Sequence, residues 1–279
     1  MEGRSVRVRQ AKDLLFTGFC LMVTLLALFF LVAIIWSLVR LGLPGINLRL
    51  FIAPTPPPGS IGGLSNAIIG SVIITLIAIL LAAPIGILIA TYLVEFSRKN
   101  QFSKVIRFTN DILLSAPSIV MGLFIYALLV KPLGHFSGFA GAIALMMIAI
   151  PIITRTTEDI LYLVSPLLRE SALALGIPRW RVTFSIIYKS ALQGIITGIL
   201  LSLARVMGET APLLFTSLNN QFTSFNIGHP MASLPIVIYR FAMSPYKNWQ
   251  HLAWEGALLI TVVILAINLF ARYLAAKKA

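Results

Sequence analysis

The chain has 279 residues, of which 58% are hydrophobic and 11% charged, and its formal net charge is +13. A soluble domain carries roughly 25% charged residues, so this composition argues against an ordinary soluble fold. The apolar residues fall in long uncharged blocks, and a block of about 18 or more is typical of a membrane span. Because a backbone in hydrocarbon must satisfy its own hydrogen bonds, we expect helical spans. The basic residues flank these blocks, which indicates topology signals and lipid headgroups rather than nucleic acid.

Six apolar blocks follow one another along the chain, and each predicts a transmembrane helix. The first block has no charged residue and no small-residue cleavage pattern after it, so we interpret it as an uncleaved helix rather than a signal peptide. A loop rich in proline and glycine at 54–59 separates it from the second block. The predicted spans are Leu14 to Val39, Leu64 to Val94, Ile112 to Val130, Leu133 to Thr154, Lys189 to Ala211 and Leu252 to Ala271.

The lysines and arginines give these helices a direction. With the N-terminus in the cytoplasm and the spans alternating, sixteen of the 22 basic residues lie in cytoplasmic segments and six lie outside. Cytoplasmic loops of membrane proteins carry such an excess, so six helices with both ends in the cytoplasm are predicted. The cytoplasmic residues are Arg4, Arg7, Arg9, Lys12, Arg98, Lys99, Lys104, Arg107, Arg155, Arg169, Arg179, Arg181, Lys189, Arg272, Lys277 and Lys278; the outside residues are Arg40, Arg49, Lys131, Arg205, Arg240 and Lys247.

Small residues recur every four positions in two of the predicted spans. Such spacing lets helix backbones approach closely in a membrane. The sequence therefore predicts helix–helix contacts at two sets of positions: Ala82, Gly86 and Ala90 in span two, and Gly194 and Gly198 in span five.

The segment from Leu163 to Ser190 predicts a cytoplasmic helix with defined ends. Ser165 can cap a helix, and Pro166 suits its first position. Gly176-Ile177-Pro178 stops the helix after about 15 Å, and a second helix from Pro178 is expected to run into span five. The segment is either an ordinary cytoplasmic hairpin or a docking helix that conveys a partner's motion into the membrane.

Charged residues in the outer part of span five are functional candidates. A span that begins after Lys189 and crosses in about 20 residues carries Arg205 and Glu209 into the outer half of the bilayer, where charges are costly and usually functional. Four residues apart on a helix, they share a face and can pair. Alternatively, the helix ends at Arg205 and both residues lie at the surface. Arg155 lies near the inner end of span four, and its position favours the interpretation that it is a positive-inside anchor.

The sequence does not predict a metal site, an internal disulfide or a nucleotide-binding site in this chain. His135, His229 and His251 lie far apart with no ligand spacing, so no metal site is predicted. Cys20 is the single cysteine and lies within the first apolar block, where it is expected to act as a small buried hydrophobe. No phosphate-binding loop of the form G-x-x-x-x-G-K-[ST] occurs. If ATP drives this protein, another chain binds the ATP.

Two stretches carry a resemblance to a known family. Glu170-Ser171-Ala172, followed after three residues by Gly176, resembles the EAA motif of ABC-importer permeases. The stretch from Arg205 to Pro212 resembles the R-x-x-GETAP segment of the permeases of the phosphate-specific importer. The proline-rich outer loop and the basic N-terminus suit the smaller of that importer's two permease subunits. An upstream series has the same order as in that family: Pro151, Arg155, Thr156, Glu158, Pro166, Arg169 and Glu170.

The resemblance implies a fold and a domain organisation. The fold expected is an all-α membrane protein with six transmembrane helices and a cytoplasmic coupling helix between spans four and five. Residues 1–13 would be a basic cytoplasmic N-terminus, 14–63 the first helix and outer loop, 64–274 the permease core with the EAA-like loop at 163–190, and 275–279 a basic cytoplasmic tail. The chain would be a multi-pass protein of the bacterial inner membrane.

The resemblance also implies a function and partners. The chain would be the permease for inorganic phosphate in an ATP-driven importer and not itself an enzyme. Its partners would be a second permease subunit, an ATPase subunit dimer that binds ATP and Mg, an extracytoplasmic phosphate-binding protein and the lipid bilayer, with no nucleic acid and no cofactor in this chain. The substrate path would use Arg205, Glu209, Thr210 and Arg155, with Glu209 holding or releasing Arg205; Glu170, Ser171, Ala172 and Gly176 would couple to the ATPase.

Other functions remain open from the residues alone. The chain could be a permease for another oxyanion, molybdate or sulfate, which an EAA-like loop does not distinguish from phosphate. An intramembrane enzyme would need a nucleophile–base pair or metal ligands at one depth, and a secondary transporter commonly shows paired repeats with broken helices. The outer segment Met231 to Met243 is too short to span, so it lies at the surface or folds back into the bundle; with the first loop it is a candidate surface for docking a binding protein.

Overall fold

The computed structural model describes residues 2–97 and 100–276, and the side chains of this part except those of residues 2–8, 10 and 11. Predictions for Arg98, Lys99, Lys277 and Lys278, and the end of the basic tail, therefore lie outside the described residues. Regular structure in the described part is helical throughout.

Thirteen helices are numbered here in chain order within that part. They are α1 Glu2–Gly42, α2 Leu48–Ile52, α3 Ser65–Thr91, α4 Gln101–Ser115, α5 Ser118–Ile125, α6 Lys131–Leu133, α7 Gly138–Leu163, α8 Pro166–Ala174, α9 Arg179–Val182, α10 Tyr188–Met207, α11 Ala211–Leu214, α12 Leu234–Ala242 and α13 Lys247–Ala276. Three π-helical turns extend or join them: Tyr92–Phe96 after α3, Tyr126–Val130 between α5 and α6, and Thr183–Ile187 between α9 and α10.

Five helical stretches of the described chain are long and apolar enough to cross a membrane, and a bent pair makes a sixth. The stretches are Lys12–Gly45, Ser65–Phe96, Gly138–Leu163, Arg179–Met207 and Lys247–Ala276. The prediction of six membrane helices is confirmed in number when the bent pair counts as one span. Most predicted ends shift: span four is Gly138–Leu163, because the Ser137 side chain accepts a hydrogen bond from the Ala140 N–H and caps the helix there.

The third predicted span is not one straight helix. The segment predicted as Ile112 to Val130 is broken after Ser115, and α4 and the stretch from Ser118 to Leu133 meet at 105°. Proline disfavours helical geometry in the residue before it, and Ala116, which precedes Pro117, has an extended conformation with ψ of 135°. Pro117 was therefore a sequence signal for the break, but the continuous apolar block around it predicted a single helix.

The core of the bundle lies between α3 and α7. The side chains of Ala82 and Ala90 are completely buried, and a Cβ atom placed on Gly86 would lie 2.9 Å from Cγ2 of Ile153. The backbones thus approach closely at the predicted small-residue positions. In span five, a Cβ atom placed on Gly194 would lie 2.7 Å from Cδ1 of Ile160 in α7. Both predicted sets of small residues make helix contacts.

The outer segment at Met231 to Met243 folds back into the bundle. It contains α12, whose Ile236 and Val237 are each 1% exposed. The N–H of Leu234 donates a hydrogen bond of 2.6 Å to Oγ of Ser71 in α3. This helix packs with α3 and α13 through a second apolar cluster that includes Leu50 and Leu64. Of the two expected positions for this segment, the structure has the buried one.

Candidate functional site

Arg205 lies in the last turn of α10, and Glu209 lies beyond the end of that helix. The helix ends at Met207, where the N–H of Gly208 donates to the carbonyl of Arg205 at 3.3 Å. Both earlier alternatives, a helix that continues past Glu209 and one that ends at Arg205, are therefore wrong by a few residues. The Arg205 side chain is exposed in this chain, whereas Glu209 and Thr210 are half-buried.

Arg205 and Glu209 line one cavity of about 310 Å³. Much of the remaining wall is apolar and includes Leu113, Ile148 and Ile152. Two hydroxyl groups, those of Ser115 and Ser118, complete its polar lining. The structure thus brings together two of the four residues predicted for the substrate path. Among the described residues that line this cavity, Thr210 and Arg155 do not occur.

The break between α4 and α5 builds one wall of this cavity. The residues Ser115, Ala116, Pro117 and Ser118, which form the corner, all line it. The corner is held against the segment after Arg205, because a Cβ atom on Gly122 of α5 would lie 2.5 Å from Cα of Pro212. Close packing of Gly122 on Pro212 therefore fixes the distance between the two sides of the cavity.

The Arg205 guanidinium and the Glu209 carboxylate do not form the ion pair that their spacing predicted. The three ion pairs among the described side chains are Arg107–Glu158, Arg155–Asp159 and Arg169–Glu95. The physical reason is the end of α10 at Met207, since the expectation of a shared face holds only for a continuous helix. A cation and a carboxylate thus share the cavity, each free of a partner within the described part.

Arg155 lies elsewhere, on the surface of α7. Its Nε is 3.7 Å from Oδ1 of Asp159, and the two side chains are 55% and 61% exposed. Ile148 and Ile152 of the same helix line the Arg205 cavity, and Arg155 follows them at helical spacing. Arg155 therefore lies on the continuation of the cavity's α7 face, towards the C-terminal end of the helix.

The predicted cytoplasmic helix is present as α8, with ends close to those expected. It begins at Pro166, but the Ser165 side chain makes no capping hydrogen bond, so that part of the prediction is wrong. Gly176 has φ of +78°, a conformation that side chains disfavour, and turns the chain towards α9. Glu170 and Ser171 are exposed and Ala172 is buried against the bundle.

A partly buried ion pair that the sequence reasoning missed fastens α8 to the bundle. Nη2 of Arg169 donates to Oε1 of Glu95 at 2.8 Å and to the carbonyl of Leu161 at 2.6 Å. The two charged side chains are 20% and 11% exposed. One guanidinium thus joins α8, the end of α7 and the π-helical turn after α3. Opposite charges at cytoplasmic span ends were the available signal, but sequence separation hides such a pairing.

A second missed pair braces α4 against α7. Nε of Arg107 donates to Oε1 of Glu158 at 2.9 Å, and Nη2 of Arg107 donates to the Tyr162 hydroxyl at 2.8 Å. Glu158 is 5% exposed, so this interaction neutralises a carboxylate buried within the bundle. Because α4 leads into the corner at Pro117, this ion pair also fixes the position of the cavity wall that the corner forms.

Comparison with known proteins identifies relatives along almost the whole chain. A family model described as the inner membrane component of binding-protein-dependent transport systems matches residues 82–279. A Pasteurella multocida protein named phosphate transport system permease protein PstA is 52% identical over 272 residues, which are 98% of this chain and 97% of that one. The protein of that name from Haemophilus influenzae is 49% identical, over 95% and 94% of the two chains.

Solved structures of other transporters share the fold. A chain in the crystal structure of a bacterial alginate ABC transporter, in complex with an alginate pentasaccharide-bound periplasmic protein, superposes with a TM-score of 0.68 and 15% identity over 95% of each chain. A chain of the inward-facing MetNI methionine ABC transporter superposes with a TM-score of 0.60 and 15% identity over 76% of this chain and 95% of that one. At such identity these similarities show the fold alone.

Proposed function

Because the chain belongs to the inner membrane components of binding-protein-dependent transport systems, we propose that it is the transmembrane permease subunit of an ATP-driven importer that moves inorganic phosphate into the cytoplasm. The Arg205 cavity carries the proposal. An arginine fork matches the oxygens of a small oxyanion, and Arg205 has no ion-pair partner among the described side chains. The relatives named for phosphate transport support the choice of substrate.

The path has two basic positions in this proposal. Arg205 receives the ion from the outside, and Arg155, on the continuation of the same α7 face, receives it nearer the cytoplasm. Both side chains are exposed in the isolated chain, so each can reach a path shared with a second permease subunit. A channel-like path needs stations from which the ion can leave, and an arginine open to water is a transient station of this kind. Thr210, the next residue after Glu209, is half-buried and lies outside the lining of the Arg205 cavity.

Transport energy comes from a separate ATPase. The exposed Glu170 and Ser171 on α8 contact that ATPase, the buried Ala172 allows α8 to lie close to the bundle, and Gly176 supplies the turn. The Arg169–Glu95 ion pair then transmits movement of α8 to α3 and α7. The partner set is a PstC-like second permease, a PstB-like ATPase dimer that holds ATP and Mg, and a PstS-like extracytoplasmic binding protein. Both termini lie in the cytoplasm of this inner-membrane protein.

The decisive variant is Arg205→Gln. Removal of the guanidinium deletes the cation of the outer station, so ATP-dependent uptake of labelled phosphate into proteoliposomes that contain the complete complex should be abolished. Arg240→Gln is the matched control, because Arg240 is an exposed arginine of α12 outside the Arg205 cavity. Normal phosphate uptake by an assembled Arg205→Gln complex would contradict this role. Uptake of sulfate or molybdate in preference to phosphate by the wild-type complex would overturn the assignment of substrate.

A further inference from the structure

Glu209 poses an electrostatic problem for an anion path. Its carboxylate lines the same cavity as Arg205 and is the one carboxylate among the described lining residues. A carboxylate repels an entering anion, and Glu209 does not compensate by pairing with Arg205, since neither residue takes part in an ion pair of the described side chains. Within the described part, the carboxylates that accept side-chain hydrogen bonds are those of Glu158 and Glu95, so the Glu209 carboxylate accepts none there. The presence of a half-buried carboxylate without a partner in an anion path therefore needs an explanation other than an ion pair with Arg205.

The protonation state of the oxyanion supplies that reason. Inorganic phosphate near neutral pH carries at least one P–OH group, whereas sulfate carries no hydroxyl hydrogen. We propose that Glu209 is a specificity-determining residue, whose carboxylate accepts a hydrogen bond from the P–OH of phosphate while Arg205 binds its charged oxygens. The proton stays on phosphate, so no bond is broken. This inference rests on the proposed function and names the group that distinguishes phosphate from sulfate.

The other polar groups of the cavity do not make this distinction. The hydroxyls of Ser115 and Ser118 can donate or accept, and the Ser115 hydroxyl donates to the carbonyl of Ile112 at 3.0 Å. Arg205 only donates and therefore binds any oxyanion. Only a carboxylate both accepts from a P–OH and repels an anion that has none. Discrimination by an unsatisfied or repelled buried group is stronger than discrimination by size.

The position of Glu209 suits a selective contact. It follows the end of α10, and its N–H donates to the carbonyl of Val206 at 3.2 Å, which fixes the backbone beside Arg205. The close contact of Gly122 with Pro212 holds the opposite wall nearby. The acceptor and the cation therefore line one cavity from different backbone positions, as recognition of a partly protonated tetrahedral ion would require.

The test measures binding of two labelled anions to the purified permease–ATPase complex without the binding protein, so that upstream selection is absent. Inorganic phosphate and sulfate are titrated to millimolar concentrations against wild type, Glu209→Gln, Arg205→Gln and the control Glu255→Gln. Glu255 lines a different cavity, with Asn47 and His251. We expect Glu209→Gln to lower the ratio of phosphate to sulfate affinity at least tenfold, Arg205→Gln to lose both anions, and Glu255→Gln to behave as wild type.

The outcomes separate this inference from the proposed function. If Glu209→Gln changes both affinities by the same factor, Glu209 acts only through its charge and the inference is wrong, although phosphate uptake by the wild-type complex still supports the permease function. The inference is also wrong if the wild-type complex binds neither anion, or if it binds phosphate and sulfate with equal affinity. Failure of the complete wild-type complex to take up phosphate would instead reject the function itself.

Discussion

At the scale of single residues, the Glu95–Arg169 pair is a polar attachment of α8 to the membrane helices, beside the apolar contact of the buried Ala172. Arg169 bridges Glu95 and the carbonyl of Leu161, so the guanidinium has both a counter-charge and a backbone partner. Removal of one member of a fully buried ion pair leaves the other charge uncompensated and costs about 3–5 kcal/mol, and for this partly buried pair we expect a cost below that range. An exposed pair contributes about 0–1 kcal/mol.

This contrast gives a stability prediction with an internal control. Glu95→Ala should lower the midpoint of thermal unfolding of the detergent-purified complex by more than about 5 °C, because the Arg169 charge loses its carboxylate. Asp159→Ala removes the partner of the exposed Arg155, and it should shift the midpoint by less than about 2 °C. Equal shifts in the two variants would mean that the Arg169 pair contributes no more than a surface contact.

At the scale of elements, the corner between α4 and α5 shapes the site. Pro117 holds Ala116 extended, and the 105° bend turns Ser115 and Ser118 towards the cavity of Arg205. A continuous apolar helix would satisfy the same hydropathy and the same length. The bend thus serves the cavity, because it brings a polar stretch of backbone against the end of α10.

Straightening this corner should impair transport. Pro117→Ala removes the steric restriction on Ala116 and lets α4 and α5 join, so uptake should fall at least about tenfold as the cavity wall is lost. Pro84→Ala is the matched control, since Pro84 lies exposed within the continuous helix α3, and its uptake should stay at the wild-type level. Wild-type uptake by Pro117→Ala would show that the bend is not needed.

A distance measurement tests the structural part of that prediction separately. Spin labels on cysteines that replace Phe102 in α4 and Phe124 in α5, in a Cys20→Ser background, report the bend. A continuous helix at about 1.5 Å per residue would place them about 33 Å apart, and the bent wild type should give a clearly shorter distance. An unchanged distance in Pro117→Ala would mean that packing, rather than proline, maintains the corner.

At the scale of the whole molecule, the bundle places the two regions of the proposed function at opposite ends of the stretch Arg179–Met207. Arg179–Met207 is one helical stretch that begins beside the turn at Gly176 and ends beside Arg205. In the proposed function, a displacement of α8 would therefore be applied to the same helical stretch that carries Arg205. If the proposed orientation holds, this arrangement would connect a partner bound at α8 to the Arg205 cavity through one helical stretch.

The orientation predicted from the basic residues can be measured directly. In a Cys20→Ser background, a cysteine replacing Phe222 should react with a membrane-impermeant maleimide in intact spheroplasts, and a cysteine replacing Leu175 should react only after permeabilisation. Both native side chains are exposed, at 78% and 79%, so access to the label depends on the side of the membrane. The reverse labelling pattern would invert the predicted topology.

The sequence by itself determined the class of the molecule. Uncharged blocks long enough to cross a bilayer specify helices, because each helix satisfies its backbone internally. The ends of α8 were also determined by local sequence, since Pro166 and Gly176 act through their own backbone geometry. The close contacts at Gly86 and Gly194 were predictable as well, although the partner helix was not.

Only the tertiary structure decided which residues meet. The end of α10 at Met207 separates Arg205 from Glu209 and leaves both groups facing one cavity, whereas the spacing of four residues had predicted a pair. The corner at Pro117, the return of α12 into the bundle and the ion pair between Glu95 and Arg169 join segments that are distant in sequence. Hydropathy measures how apolar a segment is and not what it packs against, so these contacts, and with them the cavity, emerge only when the helices pack.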